Sequence, residues 1–137
     1  MRALVLLKPD AVERNIIGEL ISRLENENLK IVAMKMLKMT ERQARKFYSV
    51  HRGKSFYESL VRYIASGAIV ALVVQGENAI FRVRKLMGAT DPSKAEKGTI
   101  RQEYGLSIER NTIHGSDSLE SAEYETKIIF SKNELVE

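Results

Sequence analysis

The stretch AIVALVVQG, residues 68–76, is apolar at odd and even positions alike. A strand with one face in water alternates apolar and polar side chains, so this run reads as a strand from the middle of a sheet. Such a strand needs partners. RALVLL, residues 2–7, reads as one, a buried strand broken by Lys8-Pro9-Asp10. LKIVAMKMLKM, residues 29–39, reads as another, with Val32, Met34 and Met36 on one face and Ile31, Ala33 and Leu37 on the other. KIIF, residues 127–130, reads as the last.

Helical signals fill the gaps between these runs. Leu20, Ile21 and Leu24 make one stripe of a helix over residues 17–27. Thr40 with Gln43 has the form of a capping box, opening a helix that carries Phe47, Tyr48 and His51 and ends at Gly53. Ser55 with Glu58 repeats that form for a helix stopped by Gly67. Asn78 heads a helix to Met87 that Gly88 closes, and a last helix starts near Ser118. Residues 89–113 are polar and aperiodic, and loops of that length are usually functional or disordered. The order β-α-β-α-α-β-α-loop-α-β predicts an α/β (α+β) fold of ferredoxin-like form. Its antiparallel β-sheet is expected to be covered by helices on one face, with inserted helices and a long loop, in one domain over residues 1–137.

Composition narrows the class. With no cysteine there is no disulfide, thiolate metal site or cysteine nucleophile, which fits a reducing compartment. The apolar run after Met1 is too short for a signal peptide or a membrane span, so the expected location is cytoplasmic, with no membrane partner. The net charge of +4 is unevenly spread. From Asp117 onward two lysines face six acids, −4, which leaves +8 on the body before it. A basic body attracts anions, whether nucleic acid, membrane or phosphate ligands.

Candidate chemistry centres on NTIHGSDS, residues 111–118, which holds one of the two histidines. Phosphoryl transfer to a side chain needs a nucleophile unprotonated near neutral pH, cations for the transferred charge, and hydrogen bonds to phosphates and sugar. Histidine suits the first role, with an unperturbed pKa of about 6.5. Gly115 reads as room for a phosphate-sized group, and Ser116, Asp117 and Ser118 as the start of a helix whose first amides favour anions. Each feature also has a plainer reading. His114 can be a packed histidine before a helix cap, and His51 can satisfy a terminal carbonyl. Lys8 can belong to an ordinary turn, Arg82 and Arg84 to a solvated helix face, and Arg101 to a short helix capped by Thr99 with the arginine exposed. Tyr48 and Phe56 can be core. No Walker loop, GxGxxG or kinase catalytic loop is present, and no His/Cys/carboxylate set has metal-ligand spacing.

Taken together, the segments resemble nucleoside diphosphate kinase over essentially the whole chain. The resemblance rests on LLKPDAVERNIIGELISRLE, FYSVH, SFYESLVRYIASG, MGATDP, GTIR and RNTIHGSDSLESAEYE. Within the last, N-x-x-H-G-S-D matches that family's active-site motif. The resemblance implies that His114 is the nucleophile, phosphorylated transiently by a nucleoside triphosphate. It implies that Lys8, Tyr48, Arg84, Thr90, Arg101 and Asn111 bind phosphates and ribose. Phe56 would stack on the base, with Ile108 on its other side and Leu60 nearby. Glu125 would orient the histidine ring, with Ser116 in support. Lys8 and Tyr48 would serve catalysis beside His114 and Glu125. The implied cofactor is Mg2+, held mainly by the nucleotide phosphates rather than by protein ligands. The implied substrates are NTP donors and NDP acceptors, ribo or deoxy and of any base, used in turn at one site by a ping-pong scheme. A homo-oligomer, tetramer or hexamer, is also implied.

Three positions depart from the pattern. Ser55-Phe56-Tyr57 stands where the family usually has Pro-Phe-Phe, which keeps the stacking Phe56. Ser59 stands where glycine is common, and Lys97 where the loop before GTIR usually has proline, in a loop through which hexameric relatives make subunit contacts. A rival reading is a basic ferredoxin-like nucleic-acid-binding module without phosphotransfer activity. Such domains carry aromatics on their strands, and LKIVAMKM and AIVALVVQG carry none. Nucleic acid is therefore not expected as the main ligand.

Overall fold

The computed structural model describes residues 1–136. Four strands form an antiparallel sheet: β1 (Arg2–Leu7), β2 (Lys30–Leu37), β3 (Ile69–Gln75) and β4 (Ile113–Gly115), in the order β2-β3-β1-β4. The interior pair is β3 and β1, in register from Arg2 with Gln75 to Leu7 with Val70. The central place of AIVALVVQG is as predicted, and the chain has the ferredoxin-like arrangement. Helices α1 (Pro9–Glu13) and α2 (Ile17–Glu25) join β1 to β2. The inserted α3 (Glu41–Phe47) and α4 (Tyr57–Ile64) join β2 to β3. After β3 come α5 (Ala79–Met87) and α6 (Ile100–Tyr104), then β4 and α7 (Leu119–Ile129).

The sheet is covered on both faces, not one. Val5, Leu7, Leu72 and Val74 pack with Leu20 and Leu24 of α2 and Val83 and Met87 of α5. Leu4, Leu6, Ala71 and Val73 pack with Phe47 of α3 and Val61 and Ile64 of α4. The inserted helices form this second layer, which explains why β1 from Ala3 to Leu7 and β3 from Ile69 to Val74 are apolar at every position.

The fourth strand is also not where the sequence put it. KIIF falls at the end of α7 and in its extended cap Phe130. The fourth strand is instead Ile113–Gly115, at the edge beside β1, where the sequence suggested the end of the long loop and the approach to the last helix. In β2 a bulge between Ile31 and Ala33 breaks the expected alternation, so Val32 and Ala33 are both buried while Met34 and Met36 are exposed. Thr40 and Gln43 form the predicted capping box. Ser55 does not cap: α4 starts from Phe56, and Glu58 instead accepts two hydrogen bonds from Arg45 at 2.9 Å. Asn78 occupies the cap position of α5 in the left-handed region, without a side-chain cap. The predicted first helix ends two residues early, at Glu25, and a short helix, α1, follows Lys8 with Pro9 in its first turn. The helix expected to run on to His51 stops at Phe47, and Ser49–His51 forms a separate 3-10 turn. The long loop before β4 holds the short helix α6 and a 3-10 turn at Pro92–Lys94.

Candidate active site

β4 is the outer strand of the sheet, and its pairing sets His114 opposite Leu6 and Gly115 opposite Val5. Leu6 belongs to the α3–α4 layer and Val5 to the α2–α5 layer. Because side chains alternate along a strand, the imidazole turns to the α3–α4 layer and Gly115 to the α2–α5 layer. Phe47 meets the imidazole edge-on, with ring centroids 5.0 Å apart. A Cβ at Gly115 would lie 2.6 Å from Met87 Sδ and 2.9 Å from Val83 Cγ1. The glycine therefore lets α5 lie against β4. It does not clear space beside the ring, as read from the sequence.

Helix α7 returns a carboxylate to the histidine. Ser118 caps it, accepting from Ser121 N at 3.0 Å. Two turns on, Glu125 Oε1 lies 3.0 Å from His114 Nε2. A carboxylate accepts, so in the neutral ring Nε2 carries the proton and Nδ1 the lone pair. Ser116 is fully buried and is not a cap. Leu4 N donates to its Oγ at 3.0 Å, and that hydroxyl reaches Glu125 Oε1 at 3.2 Å and Leu4 O at 3.1 Å. The catalytic-type pair thus hangs on the backbone of the buried strand β1.

Cations gather on the open side of β4. Arg84 of α5 donates to Gly115 O at 3.0 Å, and Arg101 of α6 donates to Ile113 O at 2.8 Å and Gly88 O at 3.1 Å. No fifth strand takes these outward carbonyls, and the guanidiniums do so instead. Arg101 is 6% exposed, not exposed as its plainer sequence reading had it, and its Nε has no partner. Burial, and then the neighbouring Arg84 charge, pull its pKa down to about 10. Lys8, at the end of β1, is buried and donates from Nζ to Glu109 O at 2.6 Å and Asn111 Oδ1 at 3.0 Å. Its pKa falls to about 8, first through burial and then through Arg101, against the opposing pull of Asp10 and Glu109. None of the ion pairs among the described residues involves Lys8, Arg84 or Arg101. Arg84 and Arg101, without an ion-pair partner and with Arg101 Nε unbonded, fit an anion site, and Lys8, its charge tempered by Asp10 and Glu109, adds to it.

The other predicted residues fall around this centre. Asn111 spans it, donating from Nδ2 to Thr90 O at 3.0 Å. Tyr48 is buried edge-on to Phe47, and burial, followed by Glu125, raises its phenol well above the ordinary value, so it stays protonated. Phe56 is 45% exposed and Ile108 60% exposed, while Leu60 is half-buried against the α3–α4 layer. His51 makes no bond to a terminal carbonyl. Its ring lies 5.3 Å from Phe56, and its Nδ1 is buried without a partner. Among the described residues no three His, Cys, Asp or Glu side chains are grouped to hold a metal.

The family model for nucleoside diphosphate kinase matches residues 1–135. The nucleoside diphosphate kinase of Picrophilus torridus is 57% identical over 136 residues, covering 99% of each chain. Among solved structures, the Aquifex aeolicus enzyme superposes with a TM-score of 0.96 at 43% identity, covering 98% of both chains. The Halobacterium salinarum enzyme in complex with CDP superposes at 0.97 with 42% identity, over 100% of this chain and 91% of that one.

The chain belongs to the nucleoside diphosphate kinase family.

Within that nucleoside diphosphate kinase framework, several residues at the site were not singled out from the sequence. Asp10 is buried and accepts from Tyr63 Oη at 2.6 Å and Thr112 Oγ1 at 2.8 Å, and its own N–H donates to Tyr63 Oη at 2.9 Å. This ties the turn after Lys8, helix α4 and the residue after Asn111 together. Thr112 sits at φ +78°, a region β-branched residues rarely enter. No sequence signal marks it, because the strain exists only once β4 has paired. Phe47 and Glu109 were legible only as a core aromatic and a loop acid.

Proposed function

We propose that this chain transfers the terminal phosphoryl group of a nucleoside triphosphate to a nucleoside diphosphate through His114. One observation carries the reading: Glu125 Oε1 lies 3.0 Å from Nε2, which leaves Nδ1 as the free ring nitrogen, while Arg84 and Arg101 sit on the carbonyls either side of His114 with no ion-pair partner among the described residues. Nδ1 attacks the γ-phosphorus, the bond to the β–γ bridging oxygen breaks, and that oxygen leaves with the nucleoside diphosphate. The imidazolium formed is balanced by Glu125. The second nucleoside diphosphate takes the group back through its terminal phosphate oxygen, which restores His114. Lys8, Arg84 and Arg101 offset charge on the transferred group, and removing one costs on the order of 10² in rate. Tyr48 and Thr90 bind phosphate, and Asn111 with Lys8 meets the sugar hydroxyls.

The base lodges between Phe56 and Ile108, with Leu60 beneath. Stacking without edge contacts does not separate one base from another, so purine and pyrimidine nucleotides, ribo or deoxy, are all substrates. Enzymes that act on nucleotide phosphates generally use a divalent metal; among the described residues no cluster is grouped to hold one, so Mg2+ would be held mainly by the nucleotide phosphates and would offset their charge. We read the protein as one domain over residues 1–137 that works in the cytoplasm as a homo-oligomer, tetramer or hexamer. Among the described residues no helix is long and apolar enough to cross a membrane. The nucleic-acid-module reading has no support from β2 and β3, which bear no aromatic residue.

The experiment is discharge of the isolated phosphoprotein. Protein loaded from ATP and freed of nucleotide should yield ATP, GTP, CTP or UTP when given the matching diphosphate. A phosphoprotein stable to all four would overturn the reading.

A further inference from the structure

Ser59 stands where glycine is common in the nucleoside diphosphate kinase pattern, and its hydroxyl donates to Glu109 Oε2 at 2.5 Å. The two residues belong to the two walls of the base slot. Phe56 caps α4 three residues before Ser59, which puts both on one helical face. Ile108 immediately precedes Glu109. Ile108 is 60% exposed and Phe56 45%, and the ring contact that Phe56 makes is with His51.

The segment behind Ile108 has a shape of its own. Leu106 N and Ser107 N donate to Arg110 O at 2.8 and 3.3 Å, and Arg110 N donates to Ser107 Oγ at 3.0 Å. Its far end also rests on α4, through the Arg110 guanidinium 5.1 Å over the Tyr63 ring, and Lys8 Nζ holds Glu109 O at 2.6 Å. Among the described residues, Ser59 to Glu109 is the only side-chain hydrogen bond between α4 and residues 105–111. It lies one turn from Phe56 and next to Ile108, so it bears on the slot rather than on the end anchored by Arg110.

We propose that the Ser59–Glu109 hydrogen bond is a latch that fixes the width of the base slot, and so sets how tightly the base is gripped. The proposal rests on the reading that the base lies between Phe56 and Ile108. Ser59 and the Glu109 side chain are positioning residues that touch no substrate. A carboxylate acceptor makes the bond charge-assisted and short, and a slot held at its bound width need not be ordered when the nucleotide arrives.

Calorimetric Kd values for ADP and for ribose 5-diphosphate, which lacks a base, test this on the full chain. Ser59→Ala and Glu109→Ala should each weaken ADP by roughly three- to tenfold. The two changes together should do no more than either alone, and ribose 5-diphosphate, measured well below pH 8 where Lys8 stays charged, should bind all variants alike. Glu109→Gln keeps an acceptor without the charge and should fall between wild type and Glu109→Ala, which separates a lost latch from a lost fold. An unchanged ADP affinity in Ser59→Ala overturns the latch, as does equal loss for both ligands or a Gln variant as weak as the Ala variant. If the wild-type chain binds ADP and ribose 5-diphosphate equally, the slot itself is wrong, and the latch falls with it.

Discussion

Lys8 shows how the site's function works against its own charge. Burial and Arg101 lower its pKa from 10.5 to about 8, a bias of roughly 3 kcal/mol against the protonated form. The ammonium is what a phosphate needs, so substrate capture is complete below pH 8 and falls as pH rises through it. We expect kcat/KM to decline tenfold per unit above about pH 8. The decline in kcat should come later, because bound phosphate restores the cation. In Lys8→Arg, charged throughout this range, that limb should vanish whatever the cost in rate. A pH–rate profile of both proteins measures this. At this scale the sequence was a good guide to residue types and a poor one to some of their reasons. Gly115 proved to be a packing requirement under Met87, and Ser116 a buried link between β1 and Glu125. Both depend on which face of a strand a side chain takes, and β4 was not recognised as a strand.

Among the elements, β4 is the decisive one. Three residues with a threonine before and a histidine inside carry no periodic signal. Pairing with β1 and two arginines on its outer carbonyls make the strand, and these contacts are distant in sequence. KIIF misled for the converse reason, since a short apolar run does not distinguish a strand from the buried side of a helix. Likewise the second layer over the sheet comes from where α3 and α4 fold back, which their own patterns do not state. Caps were legible where the side chain had no competitor, as at Thr40, and misleading where Arg45 drew Glu58 away. The contact of α5 with β4 gives a direct check. Gly115→Ala should cost about 1–3 kcal/mol through overpacking against Val83 and Met87. Urea unfolding at constant m-value measures it, and activity should fall as well, because β4 cannot move without His114.

For the whole molecule, the sheet order brings five distant segments to one edge. The end of β1 supplies Lys8, α5 and α6 the arginines, β4 the histidine and α7 the carboxylate. Each was ambiguous as a motif, and the family resemblance joined them because it carries the fold along with the residues. A chain that stores unpaired cations should be stabilised by a polyanionic ligand. At 100 times its Kd a nucleotide contributes about 2.7 kcal/mol, which shifts the thermal midpoint by several degrees. We expect that shift with ADP or CDP, and no further shift from a single-stranded oligonucleotide added on top. A further rise would favour the nucleic-acid module.

The central claim is that His114 carries the phosphate. Incubation with γ-labelled ATP should label the chain in an acid-labile, base-stable form. The label should be absent from His114→Ala and present in His51→Ala. Label that persisted in His114→Ala would contradict the account.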